Sequence, residues 1–138
     1  MRWLFSLLFL AAQLVHAQAT LEVEVLLNRS EDEGVVRLAL CKGEAAYEKV
    51  KGCIERSMSP RGSSLIFQFE ELAPGEYGIQ ALHDINSNGD MDFNFLGLPQ
   101  EPYGFSNDAK VNMSAPGFDQ AKFTVAPGRT RIRFKMRS

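Results

Sequence analysis

Apolar residues alternate with polar residues in most segments beyond residue 20, and this period of two is the strongest constraint on the fold. Leu21, Val23 and Val25 alternate with Glu22 and Glu24. The alternation recurs at 35–40, 65–70, 77–83 and 130–136, and segment 118–125 carries apolar residues typical of another strand. A period of two is the spacing of a strand with one buried face. The chain therefore predicts six or seven short strands, with one turn of helix near 44–50.

Turn signals between these strands predict an all-β fold. Short strands separated by polar turns are typical of an antiparallel β-sandwich of the immunoglobulin or transthyretin type. The polar segment 28–34 joins the first two strands, so we expect them to form a hairpin. One long insertion, 84–116, is rich in Gly, Asn, Asp and Pro. A loop of this length inside a compact domain is normally functional, or held by something other than a core.

The first 17 residues have the composition of a secretion signal peptide. Arg2 precedes an apolar run at 4–14, and Val15-His16-Ala17 fits a small-x-small cleavage site. A membrane anchor is the alternative, but the run is shorter than the roughly 20 apolar residues that cross a bilayer. We expect cleavage, export to the periplasm or out of the cell, and no transmembrane segment afterwards. Residues 18–138 would then form a single domain.

The charge of the exported chain disfavours two classes of partner. Without Arg2 it has 14 basic residues against 17 acidic ones, a net charge of −3 with His neutral. The basic residues near the end alternate with apolar ones, as a solvated strand face would. We therefore do not expect nucleic acid or anionic membrane as a partner. A cell-envelope protein or a small ligand is then the expected binding partner.

Cys41 and Cys53 are the only two cysteines in the chain. An exported protein meets an oxidising compartment, so this pair predicts a disulfide. Two free thiols are the alternative.

Residues 83–94 form a motif with five oxygen-bearing side chains on alternate positions: Asp84, Asn86, Asn88, Asp90 and Asp92. Ca²⁺ takes about six to eight hard oxygen ligands, and Gly89 permits the positive φ that such a loop needs. Phe95 occupies the place of the bidentate Glu of an EF-hand, and no helix pattern flanks the loop. The motif therefore predicts a calcium-type loop between strands, with Glu101 or a backbone carbonyl completing the ligand shell. The alternative is that Asn, Asp and Gly simply form a turn.

His83 is a weak candidate for a catalytic residue. It precedes Asp84, and a histidine beside a carboxylate can act as a general base. It also continues the face of Tyr77, Ile79 and Ala81, which favours a histidine that caps the core. A base and a nucleophile would need a third, orienting partner.

Apolar residues are concentrated in the second half of the insertion: Phe93, Phe95, Leu96, Leu98, Tyr103 and Phe105. One interpretation is an apolar patch for a ligand or partner. The other, which we favour, is that they fold back over an open end of the sandwich, since so many exposed aromatic rings would promote aggregation.

A long run of the sequence resembles a known bacterial family. The run combines Tyr77-x-x-x-Ala81-x-His83-Asp84-x-Asn86-x-Asn88-Gly89-x-x-Asp92 with Asn94-Phe95-x-Gly97-x-Pro99-x-Glu101-x-Tyr103-Gly104-Phe105-Ser106-Asn107, and Pro116-x-Phe118-Asp119-x-Ala121-x-Phe123 follows. It is similar to the signature of an exported family catalogued as domain of unknown function 2141. The resemblance implies an exported bacterial β-sandwich and implies no activity.

Three functions fit these observations. The first is a non-enzymatic binding or accessory module at the cell envelope, with the insertion ordered by Ca²⁺. The second is a metal-dependent hydrolase or lyase that uses His83 beside a metal held by Asp84, Asp90 and Asp92. The third is a small-ligand carrier whose pocket is lined by the apolar residues of the insertion.

Overall fold

The structure is a computed structural model that describes residues 18–28, 33–89 and 100–138. The predicted signal peptide, 1–17, lies outside the described residues. So do Asp90 and Asp92 of the predicted metal loop, and the apolar residues at 93–98.

The described residues form mainly strands with a few short helical turns. In chain order the elements are β1 Ala19–Leu26, β2 Val35–Lys42, α1 Glu44–Lys49, β3 Ile54–Met58, β4 Ser64–Leu72, β5 Gly75–Asp84, β6 Tyr103–Phe105, the 3₁₀ turn Ser106–Asp108, α2 Phe118–Ala121, β7 Phe123–Val125 and β8 Gly128–Lys135. No helix in these ranges combines the length and apolar character needed to cross a bilayer.

The strands form two sheets, as expected for an all-β sandwich. In the described part of the chain, the smaller sheet has the order β4-β1-β8, and the larger has β3-β2-β5-β6 with β7 also paired to β5. All pairs are antiparallel except β1 with β8, which is parallel. The expected all-β sandwich is therefore confirmed, with one parallel pair that the alternating pattern does not indicate.

The main core lies between the two sheets and is built from the inward residues of the alternating strands. Its buried members include Leu21, Val23, Val25, Val36, Leu38, Leu40, Phe67, Phe69, Ile79, Val125, Phe134 and Met136. Fully burying a side chain of this kind contributes about 1.5–3 kcal/mol. This burial selects the face that each strand turns inward.

The expected hairpin between the first two strands is wrong. β1 pairs with β4 and β8, whereas β2 pairs with β3 and β5, so the two strands lie in different sheets. Two amphipathic strands bury the same residues whether they pair edge to edge or face each other across the core. The local pattern therefore cannot distinguish a hairpin from a connection between sheets.

A second, smaller core covers one end of the outer face of the larger sheet. It consists of Cys41, Tyr47, Phe105, Phe118 and Ala121, which come from β2, α1, β6 and α2. Gly78 on β5 makes room for it, because a Cβ at this position would lie 2.7 Å from the Tyr47 ring. The helical turn expected near 44–50 is confirmed as α1.

A disulfide between Cys41 and Cys53 ties this second core to the edge of the sheet. Leu40 pairs with Ile54, so the next residues outward, Cys41 and Cys53, lie opposite each other on neighbouring strands. Their Cα atoms are 4.4 Å apart. The predicted disulfide is confirmed, and closing a loop of this length stabilises a fold by about 3 kcal/mol in the chain-entropy model.

Two further segments differ from expectation. Phe118–Ala121 is a short helix rather than the start of a strand, since Phe118 and Ala121 both turn into the second core. The expected insertion at 84–116 contains β6 and the 3₁₀ turn Ser106–Asp108. Part of the segment expected to be a loop therefore belongs to the larger sheet.

Candidate functional site

The part of the outer face that the second core leaves uncovered forms a groove of about 540 Å³. The strand pairing places two rows of side chains on its floor. The first row is Ser57, Arg37, Leu82 and Tyr103, and the second is Glu55, Ala39, Gln80 and Phe105. Leu82, Ala39 and the ring of Tyr103 make the floor partly apolar. A volume of this size suits one small ligand.

One wall of the groove is the segment that leads into α2. Val111, Met113, Ser114 and Ala115 of this segment line the groove. Val111 and Met113 are 39% and 104% exposed, so two large apolar side chains of one wall are in contact with solvent. The groove therefore presents apolar surface to solvent on its wall as well as on its floor.

The second core anchors the end of this wall. The Tyr47 hydroxyl donates a hydrogen bond of 3.0 Å to the Pro116 carbonyl oxygen. Burial, together with the nearby charge of Glu48, raises the pKa of Tyr47 to about 12. The phenol thus remains a donor at physiological pH, and the wall is fixed relative to the sheet.

Asp84 lies at the end of β5 next to the first row of the floor. Its side chain is fully buried, whereas that of Arg37 is 40% exposed. Arg37 Nε donates to Asp84 Oδ2 at 3.0 Å, and the Gly89 backbone N–H donates to the same oxygen at 2.7 Å. The Asn88 N–H donates to Oδ1 at 3.1 Å. A charged group buried this completely needs such partners.

These partners set the protonation state of Asp84. Burial by itself would raise the pKa of this carboxyl. The hydrogen bonds from Gly89, Arg37 and Asn88, with the charge of Arg37, outweigh burial, so the pKa lies below the ordinary 3.8. Asp84 is therefore a carboxylate at neutral pH, and it holds Arg37 at the edge of the groove.

The first half of the predicted metal loop curls around Asp84. The Asn86 side-chain oxygen accepts a hydrogen bond of 3.2 Å from the Asn88 N–H, the same donor that serves Asp84 Oδ1. Gly89 has φ of 86° and lines the groove. Asp84 and Asn86 thus converge on one turn. Of the predicted ligands, Asp84, Asn86 and Asn88 are described, and no group of three His, Cys, Asp or Glu side chains suited to a metal occurs within the described ranges.

Glu101 joins the far end of this loop to its beginning. Its side chain is nearly buried, and Oε2 accepts a hydrogen bond of 2.6 Å from the Ile85 N–H. Asp84 and Glu101 therefore place two carboxylates at the base of the loop. The sequence suggested Glu101 only as a metal ligand, and in the structure its Oε2 also accepts a hydrogen bond from the backbone of the loop.

His83 lies on the opposite face of β5 from the groove. It is 1% exposed and packs beside the main core, with Nε2 at 2.8 Å from the Glu33 carbonyl oxygen. Its backbone N–H donates to the Pro102 carbonyl oxygen. Asp84, the next residue, points to the outer face, so the adjacent His and Asp do not share a site. The geometry gives no support to His83 as a general base for a ligand in the groove.

Sequence reasoning missed Arg37 and the groove. Arg37 is the one charged residue in Val35–Cys41, and its face of the strand is otherwise small or apolar. That exception was a usable signal. The groove was not visible in the sequence, because its floor comes from four strands and its wall from a distant segment.

The fold and the site define a β-sandwich protein with a groove on its outer face. Residues 23–133 match the model of DUF2141, a family described as uncharacterized protein conserved in bacteria. The chain belongs to this family, and the resemblance seen in the sequence is confirmed. No curated protein matches the chain.

The pairing of Asp84 with Arg37 predicts a pH-dependent loss of stability. The folded-state pKa of Asp84 is lowered, so its stabilising effect is full above the ordinary carboxyl value of 3.8 and is lost as pH falls through the folded-state value. Asp84→Asn should cost about 2 kcal/mol at pH 7, the scale of a charged hydrogen bond. Urea unfolding from pH 7 to pH 3 in EGTA measures the difference in the free energy of unfolding between wild type and Asp84→Asn.

The difference in unfolding free energy between wild type and Asp84→Asn should be constant from pH 7 to about pH 5 and shrink below pH 4. Asp119→Asn is the control, because the Asp119 side chain is 87% exposed and lies in α2. A difference from Asp84→Asn that stays constant down to pH 3 would contradict the assignment.

Proposed function

We propose that this protein is an exported, non-enzymatic binding module of the bacterial cell envelope and that it binds a small ligand in the outer-face groove. The observation that carries the proposal is the groove itself, with its partly apolar floor and exposed apolar wall. The site and not the fold supports this function, because one fold hosts many functions. This proposal joins the binding-module and ligand-carrier hypotheses, since both need an apolar surface with a few fixed polar groups.

The rigidity of the groove supports a binding role. The Cys41–Cys53 disulfide and the Tyr47–Pro116 hydrogen bond hold one end, and the buried Asp84 carboxylate holds the other. A site that is already in its binding geometry loses less entropy when the ligand binds. Tyr103 and Phe105, expected to cover an open end of the sandwich, lie on the floor of the groove and not in the main core.

The groove can be tested with Nile red, an uncharged apolar dye. We expect dye fluorescence to rise on binding to wild type and Val111→Asp to weaken binding about tenfold, because it places a charge in the apolar wall. Ile66→Asp is the matched control. Ile66 is 45% exposed, close to Val111 at 39%, but lies on β4 of the other sheet. Equal binding by wild type and both variants would contradict the groove as the site.

Export is the second part of the proposal. It is supported by the composition of residues 1–17 and by a disulfide, which persists in oxidising compartments. In bacteria that express the full chain, we expect the protein in the periplasm or medium, with a mass that corresponds to cleavage near Ala17. Alkylation before reduction should leave Cys41 and Cys53 unlabelled. A full-length protein in the cytoplasm with both cysteines labelled would contradict export.

We also propose that the loop binds Ca²⁺ through Asp84, Asn86, Asn88, Asp90 and Asp92. The convergence of the Asp84 and Asn86 oxygens on one turn supports this. Arg37 already balances the charge of Asp84, so attraction for the cation depends mainly on Asp90 and Asp92. The expected affinity is weak, of the order of 10⁻⁴–10⁻³ M as in extracellular sites.

Thermal unfolding in EGTA and in CaCl₂ tests calcium binding. Calcium at a hundredfold excess over its dissociation constant should stabilise the fold by about 2.7 kcal/mol. Asp90→Asn/Asp92→Asn should abolish this shift. Glu70→Gln/Asp119→Asn removes the same number of negative charges elsewhere in the chain. This control variant should keep the calcium-induced shift. Absence of a shift in wild type would reject the metal and leave a turn held by hydrogen bonds.

A further inference from the structure

We propose that the ligand of the groove is a small amphipathic carboxylate whose anionic group binds Arg37 and whose apolar part lies over Leu82 and Tyr103. This inference rests on the proposed binding function and names the ligand class of the same groove. Its starting point is the way in which Asp84 holds Arg37.

Asp84 orients Arg37 without occupying all of its donors. A guanidinium has five N–H donors in a rigid plane, and they match a carboxylate in two parallel hydrogen bonds. In the described residues Arg37 donates through Nε alone, to the buried Asp84. Its terminal nitrogens have no hydrogen bond to the part of the chain that is described. Arg37 is therefore a guanidinium whose orientation is set by Asp84, and the four N–H donors on its two terminal nitrogens have no partner among the described residues.

Two other arginines on sheet faces are held differently. On the smaller sheet, Arg131 pairs with Glu22, and Arg133 pairs with Glu24 at 3.2 Å. Both of these arginines are about two-thirds exposed and lie on a solvated face. Of these three arginines, only Arg37 lines the groove. Arg56 of β3 also lines it, but its guanidinium lies over the Phe69 ring of the main core, 5.5 Å from the ring centroid.

The floor beyond Arg37 suits an apolar chain. Leu82 and Tyr103 follow Arg37 in the same row across the sheet. Two strand spacings separate Arg37 from Tyr103, about 9–10 Å. Val111 and Met113 line the same groove from the wall. A chain of about eight carbons, lying along this row, would place its carboxylate at Arg37 and its apolar end at Tyr103.

Charge in the second row fixes the direction of the ligand. Glu55 lies opposite Ala39, next to Ser57 and Arg37 of the first row. A carboxylate near Glu55 would be repelled, whereas one on the Leu82 side of Arg37 would be farther from Glu55. Asp84 lies on that side, but Arg37 and the backbone N–H groups of Asn88 and Gly89 already compensate its charge. The arrangement therefore favours a single anionic group at one end of an apolar body.

Three probes of equal chain length test this inference: octanoate, 1-octanol and octylammonium. Each is titrated into the ¹⁵N-labelled protein, residues 18–138, in EGTA, and binding is followed by amide chemical shifts. We expect octanoate to bind at least about tenfold more tightly than octanol, the scale of a charged hydrogen bond. Octylammonium should bind no more tightly than octanol.

Arg37→Gln/Asp84→Asn should bring octanoate binding down to the level of octanol. The double variant removes the ion pair as a whole, so that no buried charge is left without its partner. Glu24→Gln/Arg133→Gln removes a matched ion pair from the smaller sheet and should leave the preference for octanoate intact.

Three outcomes would overturn the inference, and they are distinguishable. Equal binding of octanoate and octanol to wild type, with both weakened by Val111→Asp, would reject the carboxylate while the groove remains a binding site. Absence of binding by all three probes and by Nile red would reject the groove as a binding site and the ligand class with it. A preference for octanoate that survives in Arg37→Gln/Asp84→Asn would reject Arg37 as the anion site.

Discussion

The structure depends on the burial of β5 on both of its faces at one end. Tyr77 and Ile79 turn into the main core, while Gly78 between them lies beneath the ring of Tyr47 in the second core. A sheet whose second face is apolar must be covered, and here α1, α2 and the disulfide cover part of it. Apolar and aromatic side chains continue along the same face beyond this cover. The groove is thus the part of this face that the second core leaves uncovered.

A single buried carboxylate connects the groove to the loop that follows β5. Asp84 accepts hydrogen bonds from the loop backbone at Asn88 and Gly89 and from Arg37 on the neighbouring strand. Its burial makes each of these contacts costly to break, because a lost partner leaves a charge without compensation. Loop conformation and the position of the groove cation are therefore coupled. This coupling gives a physical reason for an Asp at the first position of the loop even without a metal.

The alternating segments predicted five strands well, namely β1, β2, β4, β5 and β8. The disulfide and α1 were also predictable, since they need only local spacing and an oxidising compartment. β3 was not expected, because Glu55, Arg56 and Ser57 in its middle are all exposed at the edge of the sheet and carry no apolar signal. Segment 118–125 was expected to be a strand because Phe123 and Val125 share a face. Its first four residues are helical because Phe118 and Ala121 meet Tyr47 in the second core, a contact between distant segments.

The sequence by itself determined which face of each strand is buried, since a period of two admits only two faces and the apolar one must leave water. It also determined where the chain turns and that Asp84 begins a loop rich in oxygen ligands. Only the tertiary structure decided that β1 and β2 lie in different sheets and that β8 pairs with β1 in parallel. It also decided that Arg37, Leu82, Tyr103 and Val111 meet around one groove. The physical reason is that alternation specifies a buried face and not the partner that buries it, so the groove appears only when four strands and a distant segment are brought together.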